Sequence, residues 1–147
     1  MRDTQMDLLP ALGERDERYQ MGNPVRVVTS GVERMTARPF WASGQWRMCD
    51  RVPWWREYQD EPAVIVGHYW RRLRPIAGST HAASKPAMFD DVHPLGWLGP
   101  RQNVFCVDYS VGARYEERNS AKLEFDTRLA AVRWPEREVW AEEGRLA

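Results

Sequence analysis

Cysteine is scarce in this sequence of 147 residues. Cys49 and Cys106 stand far apart, so neither a disulfide framework nor a Cys-x-x-Cys metal knuckle is indicated, and two buried, inert thiols are expected. Charge of one sign is not in excess either. The 21 Lys and Arg residues balance 21 Asp and Glu, which leaves no global field to attract nucleic acid or an anionic membrane. No apolar run approaches the roughly 20 residues that a bilayer-spanning helix needs. The acidic, polar N-terminus lacks the apolar core of a secretory leader. A cytoplasmic protein with neither membrane nor nucleic acid as partner is the expectation. The sequence also lacks internal repeats and low-complexity tracts.

What is present fits a globular domain, or part of one, with a single core: 43% of residues are hydrophobic and 29% charged. Tryptophan is the compositional oddity, with eight residues, and core packing is expected for them. Residues 1–22 read as a polar segment with a short amphipathic helix over Thr4 to Tyr19, interrupted by Pro10 and Gly13. Pro24 to Ser30 reads as a strand because Val25, Val27 and Val28 dominate it. Gln45 to Arg51 reads as another strand, and Pro53 opens a helix running to Asp60. Residues 75–101 form a proline- and glycine-rich insertion. Two later apolar runs, Asn103 to Tyr109 and Leu129 to Trp134, are expected to pair antiparallel, with a short edge strand over Glu138 to Trp140.

The centre of the chain is P-A-V-I-V-G-H-Y-W-R-R-L-R, Pro62 to Arg74. Ala63 to Val66 reads as a buried strand, Gly67 allows a sharp turn, and His68 sits just past the strand end. Ligands and metals collect at the carboxyl ends of strands in open α/β sheets, and neutral imidazole is a good metal ligand. From spacing alone His68 is either that ligand or a histidine that closes a strand on a backbone partner.

V-I-V-G-H-Y-W-R, then N-V-F-C-V-D-Y-S, then T-R-L-A-A-V-R-W resemble the C-terminal portion of a bacterial calcineurin-like metallophosphoesterase. N-P-V-R-V-V-T-S-G-V-E-R and W-R-M-C-D-R-V-P-W-W-R-E-Y extend the resemblance, which covers most of the chain from Asn23 onward. It implies an α/β or α+β chain equivalent to the C-terminal half of that fold, a β-sandwich of mixed sheets flanked by helices, over residues 23–147. It also implies metal-dependent phosphoester hydrolysis with Mn, Fe or Zn, acting on a phosphoprotein or nucleotide. In such an enzyme His68 binds one of two metals.

Other parts of that pattern are missing. Upstream of His68 no Asp-x-His, Gly-Asp-x-x-Asp-Arg or Gly-Asn-His-Asp occurs, Gly22 and Asn23 run into Pro24, and Trp70 stands where the second histidine of Gly-His-x-His belongs. A single imidazole cannot build a two-metal site. The chain is therefore expected to be weakly active or inactive alone, to self-associate, or to need a missing N-terminal half. The competing reading is a non-catalytic remnant that binds a partner through its Trp and Arg surface. Asp108 has two readings, an acceptor that orients His68 or a carboxylate that caps the following turn. Arg71 is a candidate phosphate fork, ahead of Arg72 and Arg74. A three-histidine zinc site from His68, His81 and His93 is a further possibility. Cys106 is too apolar in setting to be a nucleophile.

Overall fold

A computed structural model describes residues 6–42, 44–73, 88–89, 91–119, 125 and 127–146. The chain is an α+β protein of short helices and small sheets that divides into two compact units, Met1–Trp54 and Trp55–Ala147. No described helix is long and apolar enough to cross a membrane.

In the first unit, helix α1 (Pro10–Met21) begins at a proline, which needs no N–H partner in the first turn. Pro10 therefore starts the helix that it was expected to interrupt. Gly13 lies inside it, where a Cβ would come within 2.7 Å of the Met35 sulfur. Helix α2 (Pro24–Ser30) replaces the expected strand. The Asn23 side chain accepts the N–H groups of Val25 and Arg26, and Pro24 presets the first helical φ. Cap and proline outweigh three valines, and Val25 and Val28 are left exposed. Strands β1 (Glu33–Ala42) and β2 (Gln45–Arg51) form an antiparallel hairpin with Gly44 at φ +77° near its tip. α1 packs on both strands, and the Cys49 thiol donates to the Gly13 carbonyl at 3.3 Å. Gln20, buried, ties α1 onward by donating to the Gly31 carbonyl at 2.8 Å.

Where the second unit begins, the expected helix after Pro53 shortens to a single 3-10 turn, Trp54–Glu57. Strand β3 (Val64–Val66) and strand β4 (Val104–Cys106) pair in parallel, Val64 with Val104 through Val66 with Cys106. The expected burial holds for β4, which is fully buried, but not for β3, whose middle residue Ile65 is 45% exposed. Asn103 fixes the register by donating from Nδ2 to the carbonyls of Asp60, Glu61 and Pro62. After β4 come a 3-10 turn, Val111–Ala113, and helix α3 (Arg114–Arg118). The last sheet is the meander β5 (Ala130–Arg133), β6 (Glu138–Ala141) and β7 (Gly144–Arg145).

β6 is thus central rather than an edge. β5 pairs with it instead of with β4, and among the described residues only a Tyr109–Arg128 bridge links the two regions in the antiparallel sense. Phe105, Tyr109 and Val139 form the core that joins the parallel pair to the meander, packed by Trp97, Val107, Val132 and Leu146 among others. Each such buried side chain contributes about 1.5–3 kcal/mol of transfer free energy. Of the long insertion, residues 74–87 and 90 lie outside the described set, as do Arg74 and His81.

Tryptophan departs from the core expectation. Trp55 is 2% exposed, but Trp41, Trp70, Trp134 and Trp140 are between 40% and 57% exposed.

Candidate functional site

The chain leaves β3 through Gly67 and turns at His68 and Trp70, both left-handed, with φ +66° and +52°. Gly67 is not the residue that makes the turn possible. A Cβ there would meet Asp108 at an ordinary 3.9 Å. Left-handed conformations in residues with a full side chain cost about 1–2 kcal/mol each, so something must hold them. The Asp108 carboxylate accepts the Trp70 N–H at 3.2 Å, and the Asp108 carbonyl accepts the Arg71 N–H at 2.9 Å. From the inside, Tyr69 is buried edge-on against Trp55, with ring centroids 5.0 Å apart. Alternation then exposes its neighbours: the His68 and Trp70 rings both face solvent, 5.5 Å apart. An exposed imidazole thus stands on a pinned turn at the carboxyl end of a parallel strand pair.

Asp108 performs the capping role. One oxygen accepts the Ser110 N–H at 2.9 Å and the other the Trp70 N–H, so the carboxylate orders the backbone around His68 rather than bonding its ring. The D-Y-S spacing is the sequence signature of such an Asx turn.

Arg71 is not at the surface, where a phosphate fork would have to be. It is fully buried. Nη2 donates to the carbonyls of His93 and Gly96 at 2.8 and 2.6 Å, and Nη1 to the Cys106 carbonyl at 3.4 Å. The guanidinium also lies over the rings of Phe89, Phe105 and Tyr109, 5.2–5.8 Å from their centroids. Among the described residues no carboxylate pairs with it. Burial pulls its pKa down from the usual value, partly offset by Tyr109 and Cys106. Arg71 is a brace: a charge carried into the core, with carbonyl dipoles and aromatic faces standing in for an anion. Arg72 is exposed.

Burial pushes the Cys106 thiol up to about 11 and the Tyr109 hydroxyl up to about 12. Both are therefore protonated near neutrality, and Cys106 is unsuited to nucleophilic attack. Tyr109 donates to the Pro94 carbonyl at 2.8 Å. The Cys49 thiol is also raised, to about 11, by burial and by the charges of Asp16, Glu33 and Glu17.

His93 is engaged locally, its Nδ1 accepting the Leu95 N–H at 3.2 Å. Among the described residues no group of three or more His, Cys, Asp or Glu is placed to hold a metal ion. The structure thus brings His68, Asp108 and the backbone of Arg71 into one turn. The side chain of Arg71 goes to the core. The sequence reading missed Trp70 as an exposed, conformationally strained residue and the 93–96 carbonyls as the partners of Arg71.

Comparison with protein-family models, curated proteins and solved structures finds no match.

Proposed function

We propose that this chain is the histidine-bearing part of a cytosolic, metal-dependent phosphoester hydrolase of the calcineurin-like kind. It would act on a phosphoprotein or nucleotide with Mn, Fe or Zn as the ion. The observation that supports this reading is His68, an exposed imidazole held at φ +66° at the end of a parallel strand. Strain of this kind persists where the surroundings over-determine it, and such places cluster at functional sites. The described residues do not make a metal site by themselves, since one imidazole supplies one ligand. The remaining ligands must come from residues outside the described set or from a second polypeptide. Ile65, 45% exposed on β3, offers apolar surface for such a complement. This chain's own task is then to present and orient one imidazole, with Asp108 fixing the turn beneath it.

A second reading, a non-catalytic module that binds a partner, draws support from the exposed tryptophans, Trp70 above all. Metal titration separates the two. Under the first reading Mn2+ selectively broadens the NMR signals of the His68 imidazole while sparing those of His93. Any manganese-dependent hydrolysis of 4-nitrophenyl phosphate is then lost in His68→Ala. Equal broadening of both rings overturns the hydrolase reading and leaves the binding module.

A further inference from the structure

A cleft of about 580 Å3 opens in the second unit, away from His68 in its lining, between the 91–102 segment and Arg137. Its size falls within the roughly 300–1,000 Å3 of small-molecule sites. Val92 and Trp97 give it apolar walls, backed from the core by the buried Trp55 and Leu98. Its charges are unbalanced. Among the described residues Asp91 is the one acid in the lining, and it is paired with Arg56 at 3.3 Å.

Arg137 has no acidic partner among the described residues. Its guanidinium lies 4.5 Å from the Trp97 ring centroid and 5.8 Å from that of Trp134, and Nη1 donates to the Gln102 carbonyl at 3.1 Å. The fork is thus stacked and anchored, with donors to spare.

A second cation lies behind the wall. Two lining residues, His93 and Gly96, have their carbonyls turned back onto the buried Arg71, whose charge no carboxylate among the described residues meets. That removes two acceptors from the face of the cleft and puts a positive charge beneath it, where a low dielectric preserves its field.

We propose that this cleft binds a small organic anion with a planar apolar body, its ring against Val92 and Trp97 and its anionic head on Arg137. The shared chemistry covers aryl phosphates, phosphonates and carboxylates. The proposal stands apart from the hydrolase reading, because it uses neither His68 nor a metal.

The test is an NMR titration of the full chain in EDTA, following backbone amides and indole N–H groups. The probes are phenylphosphonate, whose C–P bond resists hydrolysis, benzoate, inorganic phosphate and benzylamine. Saturable, millimolar or tighter binding of an aromatic anion is expected, with shifts at Trp97, Gly99 and Gln102. Inorganic phosphate should bind about tenfold more weakly and benzylamine not at all. Whichever of phenylphosphonate and benzoate binds better names the head group. Arg137→Gly, which removes the fork and relaxes the φ of +60°, should weaken binding about tenfold with an unchanged circular dichroism spectrum. Equal affinity for phosphate and phenylphosphonate, unaltered binding by Arg137→Gly, or no saturable shift overturns the proposal.

Discussion

Asp108 holds Trp70 across a chain separation of 38 residues, its carboxylate accepting the Trp70 N–H at 3.2 Å. The same residue accepts the Arg71 N–H through its carbonyl and the Ser110 N–H through its other carboxylate oxygen. One residue after β4 thereby fixes both the turn after β3 and the turn that follows itself. Asp108→Ala is expected to cost about 1–2 kcal/mol, the worth of two lost caps of backbone N–H groups. Asp108→Asn keeps one acceptor but can present an amide donor to the other N–H, and should fall between. Urea denaturation of the three proteins gives the ranking.

His68 carries the opposite sign. Its side chain is exposed and its φ is +66°, so the native conformation is one that glycine adopts without strain. His68→Gly should match or exceed the wild type in stability by about 0.5–1 kcal/mol, and His68→Ala should not. Thermal melts of the two variants decide it. A large loss in His68→Gly would mean that the imidazole is a structural contact.

Arg71 should be among the costliest positions in the second unit. Arg71→Met fills much of the volume but orphans the carbonyls of His93, Gly96 and Cys106, for an expected loss of about 3–5 kcal/mol. Arg71→Lys keeps the charge without the planar fork and should recover only part of it. Chemical denaturation midpoints would show the order wild type, Lys, Met.

Alkaline pH should unfold the protein through Cys106 and Tyr109. Burial raises the thiol from 9.0 to about 11 and the phenol from 10.0 to about 12. The unfolded chain therefore gives up these protons first, and stability present below pH 9 is lost as pH rises through the folded values. The melting temperature should fall from about pH 9 upward, and Cys106→Ala should delay the onset. The native thiols should also resist aromatic disulfide reagents at pH 8 and react on unfolding.

Gly99 is a position where a methyl group cannot be accommodated. Its φ is +82°, and a Cβ would sit 2.7 Å from the Trp55 carbonyl oxygen, which is backbone and cannot swing away. Gly99→Ala is expected to lose about 2 kcal/mol or more, measurable in the same denaturation series.

Strands that carry dense apolar runs were legible in the sequence. Val64–Val66, Val104–Cys106 and Ala130–Arg133 all fall within the segments expected of them. Their partners were not, because pairing depends on which edge the chain reaches after a long connection, and run composition carries no such information. The Pro24–Ser30 segment was misread because β-branched content was weighed above the Asn23 and Pro24 start signal. At the site, the position of His68 beyond a strand end was readable, since Gly-His follows an apolar run directly. The burial of Arg71 was not. Nothing in R-R-L-R marks which arginine turns inward, and that choice is made by carbonyls some 22 to 35 residues away.

The separation between Trp70 and Asp108 also sets an order in time. During synthesis β3 and its Gly-His turn leave the ribosome well before β4, so β3 has no strand to pair with and the turn has no carboxylate to pin it. His68 and Trp70 can relax to ordinary backbone angles for that interval. Their left-handed geometry is imposed only when Asp108 and Ser110 arrive. The imidazole is thus set only after Asp108 has emerged, and its positioning reports that the parallel pair has closed.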